Sequence, residues 1–330
     1  MASLAVDYIG LKLKNPFIIS SSGLTDSLDK LKKCEDIGAG AVVLKSVFEE
    51  QFVIEKGKGK RNEYQIFLEN KTLFYDKGVF IPLEDYIKLI ADAKKSIDIP
   101  VIASLNCISD NRLWEDFVKD VEKAGADALE INVALMPKSF KQTPYEIEAH
   151  VFKIIYEVSQ QVKIPVIAKI GPYFTSIPKI AKGLYNNGAS ALVLFNRFYQ
   201  PDINLDELKF KSKAVFSSKN DLSIALRWIS ILYKEVNMDL VGATGVHDAT
   251  GALKMLLSGA MAIELCSVLY KKGLETLKEI ISDVEEWMEK NEMEQISQFR
   301  GALSQRNNNF PELFERFQYI ESMEDYNIDL

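Results

Sequence analysis

One pattern recurs four times along the chain, as GAGAVVL at 38–44, GADALEI at 125–131, GASALVL at 188–194 and GAMAIEL at 259–265. In each copy an amphipathic stretch ends at a glycine, which suits the left-handed position just after the C-terminus of a helix. The apolar run that follows the glycine is typical of a strand buried on both faces, as in a parallel sheet. The repeat therefore predicts helices that alternate with parallel strands.

Further apolar runs extend this alternation along the chain. The predicted strands are Pro16–Ser20, Ala41–Val47, Val101–Leu105, Ala128–Val133, Val166–Ile170, Ala191–Phe195, Asp239–Gly242 and Met261–Cys266. Helical periodicity lies between most of them, for example at 113–125, 146–162, 221–236 and 250–258. Eight strands that alternate with helices predict an α/β fold, a (β/α)8 TIM barrel. A doubly wound open sheet is the alternative, but no G-x-G-x-x-G motif follows the first strand.

Three segments exceed what a bare barrel needs. Residues 48–96 and 197–222 are too long for simple loops, so we expect insertions at the top face of the barrel. The stretch 304–330 is an acidic and aromatic C-terminal tail. Because no Gly/Ser linker divides the chain, we expect residues 1–330 to form one domain.

Composition excludes several classes of protein. The 330 residues carry a formal net charge of −7, and no basic stripe with interleaved aromatic residues is present, so we expect no nucleic-acid partner. No apolar stretch reaches the roughly 18 residues that span a bilayer, and no signal peptide is recognisable. Three widely spaced cysteines, Cys34, Cys107 and Cys266, suggest a reducing compartment, and with only two histidines we expect no metal site. Together these features predict a cytoplasmic protein without a membrane partner.

Polar residues follow the strands at the end where TIM barrels react. Lys45 and Lys169 interrupt apolar strands, where an unpaired ammonium is costly to bury, so an anionic partner is expected for each. The small residues at 242–245 and 266–267 precede helices, and their backbone N–H groups suit a phosphate. Asn132 and Asn196 at strand ends suit the edge of a planar heterocycle.

Plainer interpretations of the same residues remain open. Either lysine is also compatible with a structural ion pair, for instance with Glu130. Residues 242–245 are equally compatible with an ordinary turn. His247 and Asp248 are interpreted as helix-start residues, and Asp248 in particular suits an N-cap.

Six stretches resemble the dihydroorotate dehydrogenase family, in its soluble class 1 type. They are NPFIISSSG (15–23), LKS (44–46), ALEIN (128–132), VIAKIGPYF (166–174), the segment 240–273 and ISQFRGAL (296–303). Their order and spacing follow the family pattern over about residues 5–303.

The resemblance implies an FMN cofactor across the mouth of the barrel. The FMN phosphate would meet backbone N–H groups at Thr244-Gly245 and Cys266-Ser267. Lys45 and Lys169 would face the flavin ring and ribityl chain, with Lys169 stabilising negative charge on the reduced flavin. The ring and substrate contacts would be completed by Ser22, Gly23, Ser46, Asn132 and Asn196. Lys169, Lys45 and Asn132 would be the catalytic residues, and the family implies a homodimer.

The chain departs from the family at positions that matter for chemistry. The cysteine that acts as base in this family falls on Leu135, which cannot accept a proton, and the asparagine that binds substrate falls on Pro137. A shift in register would bring in Ser139 instead. Thr244 and Cys266 replace glycines at the phosphate, where backbone donors survive if φ stays negative. A Ser217-Ser218 pair replaces another glycine pair of the family near the phosphate.

These residues favour an FMN-dependent oxidoreductase that transfers hydride from dihydroorotate, or a related small planar dihydropyrimidine, to flavin, with a soluble electron acceptor. The alternative is an FMN-binding pseudoenzyme of the same fold, which the loss of the base motivates. A third interpretation is a lyase without flavin that uses Lys169 as a Schiff base.

Overall fold

The computed structural model describes residues 2–323 apart from 59, 61, 63, 110, 111, 136–138, 198, 199, 214 and 215. The strands are β1 (Val6–Tyr8), β2 (Leu11–Leu13), β3 (Phe17–Ile19), β4 (Ala41–Val43), β5 (Val47–Phe48), β6 (Val101–Cys107), β7 (Ala128–Val133), β8 (Val166–Ile170), β9 (Ala189–Leu194), β10 (Gln200–Asn204), β11 (Lys209–Lys213), β12 (Asp239–Ala243) and β13 (Ala262–Leu265).

The helices cover much of the remaining described chain. They are α1 (Leu28–Asp36), α2 (Glu49–Lys56), α3 (Gln65–Glu69), α4 (Lys71–Asp76), α5 (Leu83–Ser96), α6 (Glu115–Lys123), α7 (Pro144–Ser159), α8 (Ile177–Asn186), α9 (Leu222–Leu232), α10 (Ala249–Ser258), α11 (Ser267–Lys272), α12 (Thr276–Lys290) and α13 (Phe314–Glu321). Short 3-10 turns lie at Lys219–Asp221, Ile296–Gln298, Gln305–Asn307 and Pro311–Leu313.

Eight parallel strands close into a barrel. Their hydrogen-bonded order is β4, β3, β13, β12, β9, β8, β7, β6, and β6 pairs back with β4 to close the ring. Each of the eight predicted strands supplies one strand of this ring, with its bounds within a few residues. The predicted (β/α)8 TIM barrel is confirmed.

The repeated glycines lie where the repeat predicts them. Gly38, Gly125, Gly188 and Gly259 directly follow helices, and their φ angles are 95°, 97°, 101° and 123°. A side chain at these positions is strained because L-residues rarely adopt positive φ. Each glycine therefore ends a helix and lets the chain turn back into a barrel strand.

The barrel interior is an apolar core. The N-terminal hairpin, which the sequence patterns do not predict, adds side chains to it. Alternate strand residues such as Ile18, Ile102 and Val241 point inward and pack together. Tyr8 and Leu13, from the antiparallel hairpin of β1 and β2, are buried in the same cluster. The N-terminal hairpin thus contributes apolar side chains to the inside of the barrel.

The predicted insertions are partly ordinary barrel elements. Within 48–96, only α2, α3 and α4 are additional, because α5 packs against α1 and α6 as one of the outer barrel helices. Within 197–222 lies the antiparallel hairpin of β10 and β11. Over the described part of the tail, α13 lies near α9 through an ion pair between Arg227 Nε and Glu315 Oε1 at 2.5 Å. Among the described residues, no helix is both long and apolar enough to span a bilayer.

Candidate active site

A cavity of about 340 Å³ lies at the C-terminal ends of the barrel strands. It brings together ten of the eleven predicted site residues, namely Ser22, Lys45, Ser46, Asn132, Lys169, Asn196, Thr244, Gly245, Cys266 and Ser267. These residues come from most of the strand ends, because parallel strands of a barrel all finish at one face.

Gly23 is the predicted residue that does not line the cavity. It lies beside Tyr270, whose hydroxyl oxygen is 2.9 Å from the place where a Cβ atom would stand. The Gly23 carbonyl accepts a hydrogen bond from Lys30 Nζ at 2.8 Å. Gly23 therefore supports the loop behind the cavity, and the absence of a side chain there leaves room for Tyr270.

The turn after β12 has a conformation that the sequence analysis did not expect. Thr244 has a φ of +75°, so the condition of a negative φ for this replacement of a glycine is not met. The Thr244 hydroxyl donates a hydrogen bond to the Phe195 carbonyl at 3.0 Å, which stabilises the strained turn. Cys266 has a φ of −142°, so the condition is met at the other phosphate turn.

Ser217 joins these two turns. The sequence placed it near the phosphate as a replacement for a glycine, although it was not one of the predicted cofactor-binding residues. Gly245 N donates to Ser217 Oγ at 3.4 Å, and Ser217 N donates to Ser267 Oγ at 3.0 Å. Ser217 Oγ also lies 3.1 Å from His247 Nε2, and both side chains are buried. Burial, helped by the nearby Lys271 ammonium, lowers the pKa of His247, which favours a neutral imidazole.

Asp248 has the role that the sequence predicts. Its carboxylate accepts a hydrogen bond from Gly251 N at 2.9 Å and so caps the N-terminus of α10. His247 directly precedes this cap, next to the start of α10, and its bond to Ser217 is an additional contact.

Lys169 sits in a buried cluster of charges. Its Nζ atom lies 2.5 Å from Glu264 Oε2 and 3.4 Å from Glu130 Oε1. The ion pair with Glu130 that was left open as an alternative is therefore present, but Glu264 is the nearer partner. Since Lys169 and Glu264 also line the cavity, the cluster forms part of its wall.

The sequence contains a pattern that could have identified Glu264 as a buried carboxylate of the site. Glu130 and Glu264 occupy the same place in two copies of the glycine repeat, GADALEI and GAMAIEL, in the middle of apolar strands. A carboxylate at such a position needs a partner when buried. Lys169 is the cation that the barrel brings to both.

Lys45 has a different environment. Its Nζ atom donates a hydrogen bond to the carbonyl of Gly78, between α4 and α5. Burial lowers the pKa of Lys45, opposed by the carboxylate of Asp26. Lys45 thus ties the insertion to the cavity, and Phe48 in the wall stacks obliquely on Phe80 with ring centroids 5.6 Å apart.

The two predicted asparagines meet in the cavity wall. Asn196 Nδ2 donates to Asn132 Oδ1 at 2.8 Å. Two amide atoms of the pair are left for a ligand. Asn132 Nδ2 can donate a hydrogen bond, and Asn196 Oδ1 can accept one. This pair therefore suits a ligand edge that both accepts and donates.

Hydroxyl groups continue the wall on the other side. Ser46 Oγ lies 3.0 Å from Ser21 Oγ and 2.8 Å from Ser104 Oγ, which gives a short chain of hydroxyls. Besides Ser217 and Glu264, the cavity residues absent from the predicted set include Ser20, Ser21, Phe48, Phe195, Arg197 and Val246.

The position of the expected base offers no proton acceptor to the cavity. Leu135 is half-buried, packs against the apolar core and does not line the cavity. Ser139, the alternative after a register shift, is exposed, and its hydroxyl accepts a hydrogen bond from Lys141 N at 3.1 Å. Pro137 lies outside the described residues. Over the part of the chain that the structure describes, no three His, Cys, Asp or Glu side chains cluster to hold a metal ion.

Comparison with known proteins relates this chain to one enzyme family. The family model described as dihydroorotate dehydrogenase matches residues 3–288. The catalytic subunit of dihydroorotate dehydrogenase B (NAD(+)) from Thermoplasma volcanium is 26% identical over 320 residues, 93% of this chain and 100% of that protein. The subunit of the same name from Methanocaldococcus jannaschii is 26% identical over 290 residues, 85% of this chain and 92% of that protein.

A relative with a different substrate in its name also matches. The chloroplastic dihydropyrimidine dehydrogenase (NADP(+)) of Arabidopsis thaliana is 25% identical over 328 residues, 90% of this chain and 76% of that protein. These relatives are all named dehydrogenases, and the predicted class of enzyme, a dehydrogenase acting on CH–CH donors, is confirmed at the level of the family. With a family match over most of its length and a closed barrel that gathers the predicted residues, the chain belongs to the dihydroorotate dehydrogenase family.

Proposed function

We propose that the chain binds FMN in the cavity at the barrel mouth and works as a flavin-dependent oxidoreductase on a small planar dihydropyrimidine. The observation that carries the proposal is the convergence of ten predicted residues on one cavity. Residues so far apart in sequence meet because they follow different barrel strands. A set chosen at random would be spread over both ends and the outside of the barrel.

The residues present fit an FMN group by their chemistry. The cavity of about 340 Å³ lies within the range of roughly 300–1,000 Å³ typical of small-molecule sites. Hydroxyls and backbone turns at Thr244, Gly245 and Ser267 suit the phosphate end. The amides of Asn132 and Asn196 suit the polar edge of a flavin ring or a dihydropyrimidine.

When bound, FMN would supply the hydride chemistry, and the chain's own side chains would bind and orient. Asn132 and Asn196 would hold a heterocycle edge by complementary hydrogen bonds. Lys45, fixed by Gly78, would place a cation at the mouth, while Phe48 would exclude water from one side. Ser217 would hold the two phosphate turns in register through Gly245 and Ser267.

The substrate proposed is dihydroorotate or a related dihydropyrimidine, which are the compounds that the names of the relatives contain. A soluble electron acceptor, a cytoplasmic location and a homodimer belong to the same proposal. An observation favours the second candidate, an FMN-binding protein without dihydroorotate turnover. Leu135 is apolar and lies outside the cavity wall, and losing a general base costs a rate factor of about 10²–10⁴.

The test is the visible spectrum of the purified protein before and after anaerobic addition of dihydroorotate. We expect flavin absorbance, and its bleaching by dihydroorotate or by a dihydropyrimidine supports the oxidoreductase. Flavin that stays oxidised with both compounds favours the second candidate. A colourless protein that takes up no added FMN contradicts both.

A matched pair of variants localises the flavin. Asn196→Ala removes a cavity amide and should weaken FMN retention by a factor of about two to ten, because one hydrogen bond contributes roughly 0.5–1.5 kcal/mol. Asn187→Ala, at the end of α8 away from the cavity, should leave retention unchanged. Equal retention by both variants would place the flavin elsewhere.

A further inference from the structure

The cluster around Lys169 holds one ammonium and two carboxyl groups, all buried. Lys169, Glu130 and Glu264 are exposed by only 5%, 1% and 4%. Two ionised carboxylates beside one ammonium would leave one negative charge in the barrel interior without compensation. Such a charge costs several kcal/mol even after relaxation. This cost favours a state in which one of the two carboxyl groups is protonated.

The contacts of the two carboxyl groups differ. Glu264 Oε2 lies 2.5 Å from Lys169 Nζ and accepts a further hydrogen bond from Ser20 Oγ at 2.7 Å. Glu130 Oε1 is farther from Lys169 Nζ, at 3.4 Å, and Glu130 Oε2 is buried and receives no hydrogen bond from any described donor. These contacts stabilise the anion of Glu264 more strongly than the anion of Glu130.

Both carboxyl groups contact the same ammonium, so they are close neighbours in the buried cluster. A hydrogen bond between two carboxyl groups requires a proton, because ionised carboxylates only accept. A proton on Glu130 makes its carboxyl group a hydrogen-bond donor. The same proton removes the excess negative charge.

We propose that Glu130 and Glu264 share one proton, held on Glu130, so that the Lys169 cluster is a charge-balanced wall of the cavity and a buried proton store. Lys169⁺ and Glu264⁻ form the ion pair, and Glu130 is the neutral acid beside it. Glu130 and Glu264 are positioning residues, since they hold Lys169 and set its net electrostatic effect. The proposal concerns side chains of the chain itself and does not depend on the flavin.

Among the described groups that act on Glu130 and Glu264, Lys169 is the one cation. Tyr8 approaches it from the N-terminal hairpin and Tyr86 from α5, and burial raises the pKa of both, which keeps these phenols neutral. Burial also raises the pKa of the Cys266 thiol, beside Lys169.

The pKa directions of the carboxyl groups agree with this geometry. Burial, followed by the charge of Glu264, raises the pKa of Glu130 well above its ordinary range. Burial opposes ionisation of Glu264 as well, but the Lys169 ammonium outweighs it and the pKa of Glu264 is lowered. Like-charged carboxyls that share a site separate in pKa in this way.

The first experiment is infrared spectroscopy of the whole protein at neutral pH, with glutamate carboxyl groups labelled with ¹³C. A protonated carboxylic acid has a carbonyl band at higher frequency than carboxylates. We expect this band in the folded wild type, with the isotope shift that assigns it to glutamate. A wild-type spectrum without an isotope-shifted acid band overturns the proposal, even if every variant fails to fold.

Isosteric variants assign the band. Glu130→Gln should abolish it, because the proton site is gone. Glu264→Gln should abolish it as well, because Glu130 then becomes the only carboxylate partner of Lys169 and ionises. The matched control is Glu148→Gln, which removes a buried carboxylate paired with Lys179 at 3.0 Å and should leave the band unchanged. Persistence of the full band in Glu130→Gln contradicts the proposal.

A pH profile gives an independent measurement. A carboxyl group with a raised pKa in the folded state binds a proton that the unfolded chain releases above about pH 4.3. Wild-type stability should therefore fall as pH rises from that value through the folded pKa of Glu130. In Glu130→Gln the denaturant midpoint should change less over the same pH window, and identical slopes in the two proteins would rule out a proton on Glu130.

Discussion

Lys169 is the residue whose environment changes its interpretation most. The sequence suggested a cation beside the flavin that stabilises negative charge, with an ion pair to Glu130 as the alternative. The structure shows two carboxyl groups around it, with Glu264 nearest at 2.5 Å. Glu264 carries the opposite charge and lies next to the Lys169 ammonium, so the two charges largely offset each other for groups farther away. Lys169 therefore acts as a positioned hydrogen-bond donor more than as an unbalanced positive charge.

Replacing Lys169 tests how far the cluster depends on its cation. Lys169→Met leaves Glu130 and Glu264 buried without a positive partner, and we expect a loss of about 3–5 kcal/mol in the free energy of unfolding. The control Lys123→Met removes an exposed pair with Asp120 on α6 and should change the same quantity by less than about 1 kcal/mol. Denaturant unfolding of both variants provides the measurement, and equal losses would show that the cluster is not an energetic unit.

Thr244 combines a strained backbone with a compensating hydrogen bond. A non-glycine residue in the left-handed region costs about 1–2 kcal/mol, and the bond from its hydroxyl to Phe195 O contributes about 1 kcal/mol. Thr244→Val keeps the strain and loses the bond, so it should lower the free energy of unfolding by about 1–2 kcal/mol. Thr244→Gly loses both and should stay within about 1 kcal/mol of wild type. Greater stability of the valine variant than of the glycine variant would contradict this account.

At the scale of elements, the N-terminal hairpin fills space inside the ring of barrel strands. Small inward residues such as Ala41, Ala128 and Ala262 leave space inside the ring. Tyr8, exposed by 1%, and Leu13 pack in that interior cluster. The hairpin of β1 and β2 is therefore part of the core of the barrel, although it belongs to none of the eight strand–helix units.

Truncating the buried side chain of the hairpin measures this contribution. Tyr8→Ala opens a cavity inside the barrel and should lower the free energy of unfolding by about 3–5 kcal/mol, as other buried aromatic truncations do. Tyr145→Ala on α7, where the side chain is 72% exposed, should change it by less than about 0.5 kcal/mol. Chemical denaturation compares the two, and a small loss for Tyr8→Ala would mean that the hairpin only lies against the barrel.

At the scale of the whole molecule, the C-terminal segment exposes apolar side chains outside the region that matches the family. The family match ends at residue 288, and beyond it Phe310, Tyr319 and Ile320 are about half exposed, at 54%, 57% and 49%. Several apolar side chains exposed on one segment are unusual for a monomer. This segment is where we expect the predicted homodimer to form.

Truncation separates assembly from folding. We expect the full chain to sediment as a dimer and a chain ending at residue 309 to sediment as a monomer that retains its barrel, since the eight barrel strands end at Leu265. Analytical ultracentrifugation and circular dichroism measure the two properties. A truncated chain that remains dimeric would move the interface to another surface, and a full chain that is monomeric would contradict the homodimer.

Much of the fold was predictable because its signals are local. Four barrel strands follow a glycine at the C-terminus of a helix, and the other four are short apolar runs, so all eight could be identified from short stretches. The polar residues of the site were predictable for the same reason, since they lie within or shortly after the C-terminal ends of their strands. Helix α5 was missed as a barrel helix because the insertion before it hid the alternation.

The sequence by itself determined the order of strands and helices and which residues end at the mouth of the barrel. Only the tertiary structure decided which of these residues touch. Glu130, Lys169 and Glu264 lie on β7, β8 and β13, far apart in the chain, and barrel closure brings their side chains into one buried cluster. Hydrophobic periodicity reports burial along one element, whereas charge compensation depends on distances between elements, which exist only after the ring has closed.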